Sequence, residues 1–237
     1  MMEKNLIGWQ KQPDKLNIQG TIEKAIEEIT GEEVDLTASG RTDRGVHALG
    51  QVANFKTNSN IPVEKIPVAI NTKLKKSIRI LSAEEVDEKF HSRLTCKKKT
   101  YRYIINNSQY GTAIYRNLET HIPMKLNVEK MKEAVKYFEG EHDFKAFKAS
   151  GTSSKSSVRT IHKADVIQMP NDKIYIELTG NGFLYNMVRI IAGTLVDVGT
   201  GKIEPKEIKD IIKSEKRENA GKTLPPQGLY LVKVEYE

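Results

Sequence analysis

The stretch from Lys173 to Val198 constrains the fold of this chain more than any other. Ile174, Ile176 and Leu178 alternate with other residues, which is the period of a strand with one covered face. A few residues later Leu184, Val188, Ile191, Leu195 and Val198 recur at helical spacing, the strongest such stripe in the sequence. A sheet-forming segment that runs so directly into a helix-forming one points to helices packed on a sheet.

The rest of the sequence continues this mixture without strict alternation. Ile22, Ala25, Ile26 and Ile29 predict a helix over 20–30, stopped by Gly31, because glycine tolerates the left-handed cap conformation. Short strands are expected over 33–39 and 50–56, joined by glycine-punctuated sequence. A helix over 63–74 runs through Ile66, Ala69, Ile70 and Leu74, and strands follow over 77–86 and 99–106, the latter with Tyr101, Tyr103 and Ile105 on one face. Asn127 is a natural N-cap for the stripe Val128, Met131, Val135 and Phe138, with Gly140 as its stop. Strands over 158–168 and 173–179, a helix near 207–213 and a strand over 229–236 complete the order.

Interspersed elements of this kind read as α+β with mostly antiparallel sheet. Both halves pair short strands with helices, which suggests two similar halves, 1–110 and 111–237, although no residue-level repeat accompanies them. The small polar run Ala149 to Ser157 cannot support a packed element by itself and reads as a mobile loop.

Composition narrows the partners. The chain has 237 residues, of which 38% are hydrophobic, enough for one generous core or two modest ones. Lysine and arginine number 38 against 31 acidic residues, a formal net charge of +7 that favours polyanions. Cys96 is the only cysteine, so there is no internal disulfide and no cysteine-rich zinc cluster. No run approaches the roughly 20 apolar residues of a membrane span, and the first residues lack the long apolar region of a secretory signal. A reducing, cytoplasmic setting is the expectation.

The chemistry concentrates in Ser39-Gly40-Arg41-Thr42-Asp43-Arg44-Gly45-Val46-His47. A carboxylate stands there between two guanidinium groups, which favour its ionised form, and between two glycines, which let a bulky substrate approach the backbone. By itself the pattern fits an ordinary turn as well as a catalytic loop. Lys97, Lys98, Lys99 and Arg102, with Lys145, Lys148, Lys155 and Arg159, supply basic groups suited to an RNA backbone, though most surface lysines are simply solvated. His47 and His91 lie near the loop and read as structural histidines rather than acid–base groups.

Residues 40–48, Gly-Arg-Thr-Asp-Arg-Gly-Val-His-Ala, resemble the signature of the TruA family of tRNA pseudouridine synthases. Further blocks match in order: Gly8-Trp9-Gln10, Gln19-Gly20, Phe90-His91-Ser92-Arg93, Lys99 to Tyr103, His142-Asp143-Phe144, Met187-Val188-Arg189, Gly193-Thr194-Leu195 and Gly228 to Leu231. The resemblance spans nearly the whole chain. It implies isomerisation of uridine to pseudouridine at positions 38, 39 and 40 of the tRNA anticodon stem-loop, with no cofactor and no metal. It further implies Asp43 as the catalytic carboxylate, Arg189 as its partner, Tyr101 stacked on the target base and Arg41 in the space left by the flipped nucleotide. An aromatic face can receive an extruded base, and an arginine can anchor a carboxylate or a phosphate. On this reading the first half carries the catalytic loop, the second carries the supporting arginine and the RNA-binding loop, and a central cleft holds RNA across a homodimer.

The chain departs from the family pattern at its start, where Gly8 follows only seven residues in place of a strand with a Tyr-Asp-Gly turn. A shortened start is expected to expose a sheet edge or uncover core side chains. Arg44 stands where many relatives have alanine, and Leu94 where an aromatic residue is frequent. Two other readings stand beside the synthase: a non-catalytic tRNA-binding or RNA-chaperone protein, and a metal-dependent hydrolase built on Asp43, His47 and His91, which lacks a ligand motif.

Overall fold

A computed structural model describes residues 6–12, 15–151 and 156–237, in two compact units: residues 1–96 with Tyr236, and residues 97–235 with Glu237. Residues 152–155 of the small polar run, Lys155 among them, fall outside the described residues.

The first unit begins with helix α1, Ile18–Thr30. Asn17 caps it, its side chain accepting from the Gly20 N–H at 2.8 Å, an interaction worth about 1 kcal/mol. Gly31 ends it at φ 76°. Ile18, Ile22, Ala25 and Ile26 form the buried face and meet Leu6, Trp9, Leu36, Ile70, Leu74 and Ile78 in one core. Burying each large aliphatic side chain stabilises the unit by roughly 1.5–3 kcal/mol. Two strands, β1 (Thr37–Ala38) and β3 (Ala53–Asn54), pair antiparallel, with β2 (His47–Ala48) between them in sequence. After a 3-10 turn at Val63–Lys65 comes α2, Ile66–Lys73.

Leu36, just before β1, has no strand partner for its peptide groups, so α1 side chains serve them. Its N–H donates to Glu23 Oε1 at 3.2 Å and its carbonyl accepts from Gln19 Nε2 at 3.2 Å. Glu23 is buried and balanced by Lys11 Nζ at 3.1 Å. The same logic corrects one expectation. Residues 77–86 form no strand, because Asn71 supplies both partners of Ile80, accepting from its N–H at 2.9 Å and donating to its carbonyl at 2.8 Å. Leu81 and Val86, within this stretch, are exposed.

The second unit is a sheet covered by helices. Its elements are β4 (Lys98–Asn106), β5 (Thr120–His121), α3 (Val128–Val135), β6 (Gly140–Asp143), β7 (Val158–Met169), β8 (Lys173–Gly180), α4 (Met187–Gly199), α5 (Ile208–Ser214) and β9 (Leu229–Glu235). The strands run in the order β9-β4-β8-β7-β6, every neighbour antiparallel, and β5 pairs parallel with the end of β4. β4, counted with the first half on sequence grounds, lies in this unit because β8 and β9 pair along it. Asn127 caps α3 as expected, accepting from Lys130 N–H at 3.1 Å. Tyr103, Ile105, Met131, Phe138, Ile174, Ile176, Leu178 and Met187 fill the core. The observed architecture is α+β with antiparallel-dominated sheet. No helix among the described residues is long and apolar enough to cross a membrane.

Candidate active site

The loop after β1 is held by its backbone. Trp9 N–H donates to the Thr42 carbonyl at 3.0 Å, and Gly8 and Asp43 form an antiparallel bridge. Gly8 has φ 103°, and a Cβ there would stand 2.6 Å from the Thr42 oxygen, so this contact requires glycine. On the far side, Val46 N–H closes a turn onto the Asp43 carbonyl at 3.1 Å. Thr42 and Val46 point inward and are buried, while Arg41, Asp43, Arg44 and Gly45 are exposed. The loop is thus a fixed platform that presents one carboxylate and two guanidinium groups to solvent. Arg41 Nη1 donates to Gln10 Oε1 at 2.7 Å, so the Gly8-Trp9-Gln10 segment holds both the loop's backbone and its leading arginine.

The base of the loop is tied by Ser92, which is fully buried. Its N–H donates to Asn54 Oδ1 at 2.9 Å and its hydroxyl to the Thr37 carbonyl at 2.7 Å, bridging β1 and β3. Tyr236 donates to the Ser92 carbonyl at 2.8 Å and packs its ring on Phe90, centroids 4.8 Å apart. The strand expected over 229–236 ends at Glu235, and Tyr236 belongs to the first unit. His91 acts as an acceptor within its own turn. Its Nδ1 accepts from the N–H groups of Arg93 and Leu94 at 3.2 and 3.3 Å, so the motif around it is a self-capped turn. Among the described residues, no group of three or more His, Cys, Asp or Glu side chains could hold a metal ion.

In the second unit Tyr101 lies on the core-facing side of β4 but only half-buried, unlike its fully buried face-mates Tyr103 and Ile105. Phe183 meets its ring edge-on, centroids 5.1 Å apart at 79°. Sequence reasoning overlooked Phe183, although its place directly after Gly180-Asn181-Gly182 at the end of β8 was a usable signal. Arg189, in the first turn of α4, is braced at two points. Its Nε donates to the Leu224 carbonyl at 2.7 Å and its Nη1 to Asn186 Oδ1 at 2.6 Å, leaving Nη2 outside the bracing. Asn186 takes the left-handed conformation at φ 60° and makes no side-chain cap, because its oxygen is spent on the arginine.

Several expected RNA-facing cations have protein partners. Arg102 pairs with Glu177 on β8, its Nε at 2.6 Å, and lies 4.8 Å from the Tyr175 ring centroid. Lys145 pairs with Glu215 at 3.1 Å. Arg159 donates to the Ser156 carbonyl at 3.0 Å, and burial lowers its pKa from the usual guanidinium value.

A sequence profile described as tRNA pseudouridine synthase matches residues 5–94 and 134–237. The chain belongs to the tRNA pseudouridine synthase family. Relatives named tRNA pseudouridine synthase A come from Acetivibrio thermocellus (54% identical over 233 residues), Caldicellulosiruptor saccharolyticus (53% over 232) and Clostridium acetobutylicum (47% over 232). Each alignment covers 98% of this chain and 95% of the relative. The synthase is accordingly an isomerase; the Asp43 loop and Arg189 lie inside the matched residues, while Tyr101 falls between the two matched segments.

Proposed function

We propose that this synthase converts uridine to pseudouridine at positions 38, 39 and 40 of the tRNA anticodon stem-loop, with Asp43 as its catalytic carboxylate. The observation that carries this reading is the construction of the Asp43 loop: a backbone fixed at Thr42 and Asp43, with the carboxylate exposed beside Arg41. A preorganised charge costs no rearrangement when the reaction needs it. In the isomerisation the bond from C1′ to N1 breaks, the base turns, and a bond from C1′ to C5 forms. The proton lost from C5 is balanced by one gained at N1, so no oxidant, reductant or energy source is consumed. The sugar carbon becomes electron-poor as the first bond breaks, and a carboxylate stabilises it.

In the same reading Tyr101 stacks on the extruded base, Arg41 fills the space it leaves, and Arg189 supports Asp43. The half-buried ring of Tyr101, steadied by Phe183, suits stacking better than a core tyrosine would. The exposed guanidinium of Arg41 suits insertion into RNA. These roles rest on the family resemblance, as does the homodimer, while the cytoplasmic setting rests on composition. The exposed Tyr110, Ile114 and Tyr115 offer apolar surface for a subunit contact.

The test is to map pseudouridine in unmodified tRNA after incubation with the purified chain. The wild type modifies positions 38–40, and Asp43→Asn binds tRNA but forms no pseudouridine. Full isomerase activity in Asp43→Asn would overturn the assignment, and salt-sensitive binding without turnover by the wild type would favour the non-catalytic reading. Sedimentation of the same preparation checks the dimer, which a monomer at working concentration would refute.

A further inference from the structure

We propose that Gln51 is a positioning residue for the Asp43 loop, acting through the Gly40 peptide. The ladder beneath the loop is short, pairing only Thr37 with Asn54 and Ala38 with Ala53, and is extended by Ser39 N–H to the Val52 carbonyl at 2.8 Å. So brief a ladder leaves the chain's direction open where it enters the loop. Gln51 closes that gap with both ends of its carboxamide. Its Oε1 accepts from the hydroxyl of the fully buried Ser39 at 2.6 Å, and its Nε2 donates to the Gly40 carbonyl at 2.7 Å. The Ser39 bond fixes which way the amide faces, so the donor is aimed at Gly40.

Gly40 needs such a brace. With no Cβ its peptide has the widest rotational freedom of any residue, and it lies directly before Arg41, Thr42 and Asp43. Three carbonyls fix the loop: Gly40 through Gln51, Thr42 through Trp9, and Asp43 through Val46. Only the Gly40 bond comes from a side chain, so substitution can remove it while the backbone bonds and the apolar core stay in place. A turn of the Gly40 peptide would swing Asp43 relative to the bound sugar, and a displacement near 1 Å can cost about a hundredfold in rate.

The inference depends on Asp43 being the reacting carboxylate, and the test separates the two. Single-turnover pseudouridine formation, tRNA affinity and thermal unfolding are measured for the wild type, Asp43→Asn, Gln51→Met and Gln51→Glu. Gln51→Met keeps the side chain's length without its donor. It is expected to lose between about ten- and a hundredfold in single-turnover rate with tRNA affinity unchanged, while the buried Ser39 hydroxyl, deprived of this acceptor, lowers the unfolding temperature modestly. Gln51→Glu is expected to be slow at neutral pH, where a carboxylate faces the Gly40 carbonyl. Its rate relative to wild type should recover as pH falls and the carboxyl regains an O–H to donate. A wild-type rate for Gln51→Met, or a Gln51→Glu to wild-type ratio that stays flat with pH, overturns the positioning role while Asp43→Asn remains inactive. A loss of tRNA affinity in Gln51→Met as large as its loss of rate overturns it too, since that is the mark of a residue that only maintains the fold of the loop. Activity in Asp43→Asn removes the reading beneath it.

Discussion

Thr42 shows how the loop is maintained one residue at a time. Its side chain is buried between exposed Arg41 and Asp43, and its Oγ1 has no hydrogen-bond partner among the described residues. Burying an unsatisfied hydroxyl costs roughly 1–3 kcal/mol, whereas the residue's carbonyl is well used by Trp9. Thr42→Val keeps the shape and the backbone bond, so it should raise the unfolding free energy by about 1 kcal/mol in denaturant titration. A fall of similar size would mean that an ordered water serves the hydroxyl. Asp43 and Arg41 stand out as candidates in the sequence because they belong to a contiguous motif. The contacts of Gln51 with Gly40 and of Phe183 with Tyr101 are not written in any such motif, since the strand pairing and the chain's path after β8 bring these residues close.

Helix α4 was the plainest element in the sequence, yet its stripe does not reveal how Arg189 is aimed. That depends on the segment 220–224, which runs against the helix at van der Waals distance. A Cβ on Gly193 would lie 1.9 Å from the Lys222 carbonyl oxygen, and one on Gly221 would lie 2.5 Å from the Thr194 nitrogen. The hydroxyl of Thr194 accepts from Gly221 N–H at 2.9 Å and donates to the Ile190 carbonyl at 2.9 Å, pinning the approach. Leu224 then exchanges bonds with Arg189, donating to its carbonyl at 3.3 Å and accepting from its Nε at 2.7 Å. Alanine favours a helix interior over glycine by about 1 kcal/mol, but the clash outweighs that gain. Gly193→Ala is expected to destabilise the protein by about 3 kcal/mol and to slow pseudouridine formation, as measured by thermal unfolding and turnover. An unchanged unfolding temperature would show that the segment can move aside freely.

At the scale of the whole molecule, buried tyrosines tie stability to alkaline pH. Desolvation pushes the Tyr230 phenol up to about 12 from 10.0, with Glu119 and Tyr175 adding to the effect, and its hydroxyl donates to the Leu118 carbonyl at 2.6 Å. Burial pushes Tyr103 and Tyr236 higher still, and Tyr103 donates to the Pro225 carbonyl at 2.7 Å. A folded pKa above the unfolded one contributes stability that is complete below the unfolded value and lost as pH rises through the folded one. Unfolding free energy should therefore decline from pH 10.0 to about 12, less steeply in Tyr230→Phe, when followed by denaturant titration. A flat profile across that range would contradict the burial of these groups. The sequence by itself determined the helices with long apolar stripes, the alternating strands, the α+β class and the family motif, because periodicity and contiguous motifs are local properties of the chain. Tertiary structure decided that 77–86 is no strand, that β4 pairs within the second unit, that Tyr236 serves the first, and which amides and glycines hold Asp43 and Arg189. Those outcomes depend on where backbone groups far apart in sequence find hydrogen-bond partners, and on how closely segments can approach, neither of which is encoded in any single stretch.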